Sequence, residues 1–151
     1  MQDMHPYYEK IESALTSSGF HKEEISSSNF KAAFTRRGFL TSLVFLIKEV
    51  NDKGFNASSM KNLVESGRQW CASNLKATWF VKESGLNLVL LHDGQIGSND
   101  IKGQVDSTGF HGAICQSITT LDVTNGSVAQ EKTWVVIGKV RKALRKLNEI
   151  A

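Results

Sequence analysis

Residues 113–150 read AICQSITTLDVTNGSVAQEKTWVVIGKVRKALRKLNEI, and this stretch decides the fold. An apolar/polar run from Ala113 to Val123 meets Asn125-Gly126, a second run ends in Trp134-Val135-Val136-Ile137, and a basic amphipathic segment follows at once. Asn-Gly is the usual two-residue hairpin connection, because both central positions of a type I′ turn need positive φ. The expected register follows from it. Val123 should oppose Val128, Leu121 oppose Gln130 and Cys115 oppose Val136 on one face, with Ile118–Thr133 and Ile114–Ile137 on the other. In the terminal helix Val140, Leu144, Leu147 and Ala151 form one stripe, and Lys139, Arg141, Lys142, Arg145 and Lys146 cover the rest.

Upstream lies residues 92–112, HDGQIGSNDIKGQVDSTGFHG, with Gly94, Gly97, Gly103, Gly109 and Gly112 and few large apolar residues. Connections this long inside a domain are uncommon and often functional. A short strand over Ile101–Val105 is expected to interrupt it. Before it, Lys76–Glu83 and Leu86–His92 are rich in aromatic, β-branched and leucine residues and read as an antiparallel hairpin turning at Ser84-Gly85. Leu88 to Leu91 is continuous apolar sequence, so that strand should be covered on both faces.

Earlier still, Ser58 is placed to cap a helix whose Met60, Leu63, Val64, Gly67 and Cys71 share one side. Asn51-Asp52-Lys53-Gly54 makes a turn, and Phe39–Val50 reads as a central helix with Leu40, Leu43, Ile47 and Val50 as its best stripe. Between His21 and Arg37, Phe30, Ala33 and Phe34 fit a short helix capped by Ser28; Phe30, Ala32 and Phe34 fit a strand equally, and the helix is preferred. Pro6 suits the first turn of a helix running to Ser17, with Tyr8, Ile11 and Leu15 at helical spacing and Ser18-Gly19 as the stop. The expectation is one α+β domain over residues 1–151. It has an antiparallel sheet of about four or five strands built from two hairpins, helices largely on one face and a C-terminal amphipathic helix.

At 151 residues the chain suits one domain, and a chain of that size buries roughly 70% of the surface its unfolded form exposes. Its 40% hydrophobic and 22% charged content and single Pro6 exclude a disordered or fibrous class. Cys71 and Cys115 are too few for a disulfide framework, so reduced thiols in the cytoplasm are expected. The N-terminus lacks a secretory pattern. Gly38–Ile47, the most apolar segment, falls short of the ~20 residues of a membrane span, so no membrane role is expected.

The net charge of +3 is unevenly distributed. Residues 1–30 carry two basic and five acidic groups, residues 31–82 nine basic and three acidic, residues 83–138 two basic and six acidic, and residues 139–151 five basic and one acidic. Such blocks make a polarised surface only if the basic ones meet in space. Lys139, Arg141, Lys142, Arg145 and Lys146, extended by Arg36-Arg37, could track a nucleic-acid backbone. The commoner arrangement is a solvated face, and no aromatic residue interleaves with these cations to stack single-stranded bases.

His92, Asp93, Asp100, Asp106 and His111 could bind a divalent cation or perform acid/base chemistry, although their spacing matches no metal motif. His92-Asp93 is the pair of interest, because a histidine base needs an orienting partner. Cys115 with His111 would suit thiol catalysis only if bent together, since four residues along one strand span about 13 Å. Cys115 and Cys71 therefore read as buried structural thiols. The glycines form neither a phosphate loop nor a dinucleotide fingerprint, no Gly-x-Ser-x-Gly elbow occurs, and Trp70, Trp79 and Trp134 read as core.

No cofactor follows from these motifs, and the reading leans away from an enzyme. The first expectation is a small binding module that engages a protein partner, itself or a small molecule through the sheet and the Gly-rich segment. The alternatives are nucleic-acid binding by Arg36, Arg37 and the terminal helix, and a metal-dependent or acid/base enzyme centred on His92, Asp93 and His111.

Overall fold

A computed structural model describes residues 4–25, 29–38, 41–75, 83–105, 113–133, 136 and 138–150. The elements run α1 (His5–Ser17), β1 (His21–Glu23), β2 (Ala32–Arg36), β3 (Thr41–Val50), α2 (Ala57–Asn74), β4 (Glu83–His92), α3 (Ser98–Ile101), β5 (Ala113–Asp122), β6 (Ser127–Lys132) and α4 (Gly138–Asn148). The six strands form one sheet in chain order, β1-β2-β3-β4-β5-β6. β1, β2 and β3 are antiparallel neighbours, β3, β4 and β5 are parallel, and β5–β6 is antiparallel. The fold is thus α+β, but the sheet is mixed, with six strands rather than four or five antiparallel ones.

Helices cover both faces of the sheet, not mainly one. On one face Ile11 and Leu15 of α1 and Val140, Leu144 and Leu147 of α4 meet Phe34, Phe45, Val89, Leu91 and Leu121. On the other, Met60, Leu63, Val64 and Cys71 of α2 and Ile101 of α3 meet Val44, Leu46, Leu86, Leu88, Leu90 and Ile118. The β3-α2-β4 crossover is what makes the parallel core possible, since parallel neighbours cannot be joined by a tight turn. Burying both faces of β3 and β4 is its main reward, each fully buried Leu, Ile or Phe contributing about 1.5–3 kcal/mol.

Three helices follow their sequence signals. Tyr8, Ile11 and Leu15 of α1, Met60, Leu63, Val64, Gly67 and Cys71 of α2, and Val140, Leu144 and Leu147 of α4 are all buried. The α2 cap is Asn56 rather than Ser58: its carboxamide oxygen accepts from Ser59 N–H at 3.0 Å, and the Ser59 hydroxyl accepts from Asn56 N–H at 3.3 Å. Gly67 lets α2 approach the sheet, because a Cβ there would lie 2.8 Å from Leu86 Cδ2.

The expected central helix over Phe39–Val50 is instead strand β3. Its apolar residues fill the circumference because Val44 and Leu46 point to one helical layer while Phe45 and Ile47 point to the other. The expected short helix ending before Gly38 is strand β2, with Ala32 and Phe34 on the α1/α4 face and Ala33 on the α2 face; Ser28 lies outside the described residues. Ser84-Gly85 is not a turn, since β4 runs through it and both neighbours are parallel. Residues 76–82, the first arm of the expected hairpin, lie outside the described residues. The strand expected over Ile101–Val105 is replaced by α3, which ends at Ile101.

The β5–β6 hairpin exists, but two residues out of the expected register. Leu121 pairs with Val128 and Asp122 with Ser127, leaving a four-residue connection, Val123–Gly126. Side chains of the loop hold it: Asp122 Oδ1 accepts from Thr124 N–H at 3.0 Å and Asn125 Oδ1 from Ser127 N–H at 2.9 Å. The wider loop wins because Val123 N–H donates to His92 O at 2.9 Å instead of to β6. A two-residue shift preserves facing, but a bulge does not. Leu86 pairs with Cys115 and Asn87 with Ser117, so Gln116 is the extra residue, and Cys115 joins the α2 face while Leu121 faces α1 and α4.

Candidate functional site

Helix α4 is anchored by its apolar stripe and by Gln130 Nε2 on β6, which donates to Leu144 O at 2.8 Å. This leaves four of the five cations on two flanks of the helix, with Lys142 exposed between them. Lys139 and Lys146 lie on the α1 side. Lys146 Nζ donates to Ser17 Oγ at 2.8 Å. A Cβ atom at Gly19 would lie 3.3 Å from Arg36 Nη1 and 3.5 Å from Lys139 Nζ, so two basic blocks more than a hundred residues apart in sequence meet over Gly19. Gly19 itself has φ +94°, which suits a residue without a side chain.

On the β6 side, Arg141 and Arg145 join Lys132, Thr133 and Val136 around a cavity of about 400 Å³. Among the described residues, none of Arg36, Lys132, Lys139, Arg141, Lys142, Arg145 and Lys146 is in an ion pair. The acidic side chains of α1 and β1 are directed elsewhere: Glu12 pairs with Lys22 at 3.1 Å and Glu23 with Arg37.

Arg37 belongs to the opposite face of the sheet from Arg36. Its Nε and Nη2 donate to Glu23 Oε2 at 2.9 Å and Oε1 at 2.8 Å, and Nη1 donates to Asn74 O at 3.2 Å. The Arg37 hydrogen bonds, helped by the Thr35 hydroxyl, hold the Glu23 carboxyl below its ordinary range despite partial burial. This arginine ties β1, β2 and the end of α2 together.

His92 ends β4 and is buried. Its Nδ1 accepts from Ile96 N–H at 3.2 Å, and burial pulls its pKa below the usual histidine value, with Asp122 and Asp93 opposing. The Asp93 carboxylate accepts from the Thr124 hydroxyl. His92 and Asp93 thus anchor two loops, each with its own partner, and no hydrogen bond joins their side chains among the described residues. Asp100 Oδ2 caps α3 by accepting from Gly97 N–H at 2.8 Å. Asp106 and His111 lie outside the described residues, as do Trp79 and Trp134. Among the described residues no group of three or more His, Cys, Asp or Glu is arranged to hold a metal ion.

Cys71 and Cys115 are buried and unoxidised thiols, and burial pushes both up to about 12. Such thiols are poor nucleophiles at neutral pH. Trp70 is half-buried against the α2-side core. A cleft of about 480 Å³ opens at the end of β3 beside Asp52, Phe55, Ser59 and Asn62. Several of its polar groups already bond to neighbours: Asp52 Oδ1 accepts from Gly54 N–H, and Ser66 Oγ donates to Asn62 O.

Sequence reasoning missed a buried polar network on β4 and β5. Asn87 Nδ2 donates to Gln116 Oε1 at 3.1 Å and to Val44 O at 3.3 Å, and Ser117 Oγ donates to Asn87 Oδ1. Its sequence signal was Gly85, a glycine inside an apolar strand, which marks a close approach: the Gln116 carboxamide lies over it. It also missed Thr133, a buried threonine whose hydroxyl has no partner among the described residues. Among the described residues no helix is long and apolar enough to cross a membrane. No family model, curated protein or solved structure matches the chain.

Proposed function

We propose that this protein binds nucleic acid through the phosphate backbone, using Lys139 and Lys146 on the α1-side flank of α4 and the exposed Lys142 beside them, together with Arg36. The single observation that carries the reading is the convergence of Arg36 and Lys139 over Gly19, without an acidic partner among the described residues. Uncompensated cations gathered from separate parts of a chain repel one another, and a polyanion relieves that repulsion by releasing its own counterions. A cytoplasmic setting belongs to the same proposal.

The test is fluorescence anisotropy with a labelled duplex between 50 and 200 mM salt. Four phosphate contacts give a log–log salt slope of about −3.6, and the Arg36→Gln/Lys139→Gln variant should flatten it by about 2. Absence of binding at low salt, or an unchanged slope in the variant, overturns the assignment. An acidic polypeptide such as polyglutamate serves as competitor: displacement at equal charge concentration would move the reading to an acidic protein partner.

A second reading, self-association, rests on β6, which among the described residues pairs only with β5 and leaves its other edge open. Glu131 and Lys132 on that edge disfavour it, since charged residues blunt strand addition. Light scattering that shows a monomer at high concentration would dismiss it.

A further inference from the structure

We infer that the β6-side flank of α4 is a seat for a phosphate monoester, distinct from the flank that tracks a backbone. In its nucleic-acid form, where the seat holds a strand terminus, the inference rests on the function proposed above. β6 ends at Lys132, and Thr133 N–H donates to Gln116 O at 2.9 Å, which keeps the chain docked beside the β5 bulge. Val136 N–H donates to Thr133 O at 3.4 Å, and Gly138, with a φ of +57°, starts α4 back across β6. The return brings Arg141 and Arg145, one helical turn apart, alongside Lys132.

Like charges at that helical spacing repel, and a third cation adds to the repulsion. No carboxylate pairs with any of the three among the described residues. Thr133 supplies an independent observation. The residue is only 9% exposed, it lines the same cavity, and its hydroxyl has no partner among the described residues, an arrangement that is costly unless something else bonds to it.

The chemistry of the ligand follows from this inventory. A phosphate monoester carries close to two negative charges at neutral pH and three terminal oxygens that accept hydrogen bonds. Two arginine forks and an ammonium suit it better than they suit a diester, which has a single charge. A cavity of about 400 Å³ exceeds the phosphate group alone and admits the sugar attached to it, with Val136 as an apolar wall. The ligand is therefore either the terminal phosphate of a strand or a free phosphorylated small molecule.

The test compares 5′-phosphorylated with 5′-hydroxyl duplex by anisotropy, and adenosine monophosphate with adenosine by calorimetry, on the full chain. The wild type should prefer the phosphorylated form of at least one pair by ~10-fold. Lys132→Gln/Arg145→Gln should bring that ratio to about one, and Thr133→Val should lower it several-fold, with circular dichroism confirming that each variant folds. A preference for adenosine monophosphate without any duplex binding supports the seat while refuting the backbone reading. Duplex binding indifferent to the 5′ group, with no preference for the monophosphate, overturns the seat and leaves the backbone reading standing. A preference that survives both variants overturns the assignment of its residues.

Discussion

Replacing Gly85 with alanine should destabilise the protein, and removing the Gln116 side chain first should reverse the sign of the effect. A Cβ at position 85 would lie 2.5, 2.6 and 2.8 Å from Oε1, Cδ and Nε2 of Gln116. Gln116 is half-buried and can swing aside, but only by giving up the bond from Asn87 Nδ2. Asn87 is fully buried and held by Ser117 Oγ at its Oδ1, so it cannot turn to find another acceptor. Its amide is left with Val44 O at 3.3 Å and a weak contact to Gly85 O at 3.5 Å. The lost bond costs about 1 kcal/mol, and displacing a packed side chain at least ~1 kcal/mol more. The alanine recovers about 0.4–1 kcal/mol by restricting the unfolded chain. The net loss expected for Gly85→Ala is therefore on the order of 1 kcal/mol. In a Gln116→Ala background the clash is gone, and the same change should stabilise by ~0.5 kcal/mol. Equilibrium urea unfolding of the four proteins, followed by circular dichroism at constant m-value, yields the coupling energy, expected near 1.5 kcal/mol. A stabilising Gly85→Ala in the wild-type background, or coupling below about 0.5 kcal/mol, would show that Gln116 does not lie over β4.

Burial holds the pKa of His92 below its unfolded value, so the unfolded chain binds the extra proton first as pH falls. Its contribution to stability is complete above the unfolded value near 6.5, is lost as pH falls from there through the folded value, and then levels off. His92→Asn, which can present an oxygen where Nδ1 accepts from Ile96 N–H, should flatten the change in urea midpoint between pH 7.5 and 5.5; an unchanged profile would assign the dependence to another group. Cys71 and Cys115 should resist a thiol reagent in the native protein and react once it is unfolded in urea, and rapid native labelling at pH 7.5 would contradict their burial. Asn56→Ala removes the side-chain half of the α2 capping box and should cost about 1 kcal/mol in urea unfolding, whereas Ser58→Ala should cost much less; equal losses would move the cap to Ser58.

What sequence revealed of the fold depended on whether one periodicity excluded the other. In α1, α2 and α4 the buried stripes recur at three and four residues with polar residues between them, and no strand can bury such a set on one face. β3 offers no such exclusion. Its run from Leu43 to Ile47 is apolar on both faces because helices cover both, and a continuous run matches either period. Reading β3 as a helix removed the central strand. Ser84-Gly85 then supplied a turn for a hairpin, although the glycine answers a tertiary neighbour, Gln116, that no local pattern reveals. The hairpin at Asn125-Gly126 was found from its turn signal, but its register was not, because the bond from Val123 N–H to His92 O belongs to a third strand.

The strand character of β2 also decides which cations share a surface. On a short helix capped by Ser28 and ending before Gly38, Arg36 and Arg37 read as a single basic pair that extends the patch of α4. Once β2 is a strand, alternation alone sends them to opposite faces: Arg36 follows Ala32 and Phe34 toward α4, while Arg37 goes to Glu23 and the end of α2. The charge that matters is therefore not the length of the basic run but which of its members the pleat delivers to the same side as Lys139. That selection also explains how a protein of net charge only +3 can present a basic surface. Among the described residues the carboxylates of Glu12 and Glu23 are occupied by Lys22 and Arg37, which leaves the cations around Gly19 and along α4 to whatever anion approaches them.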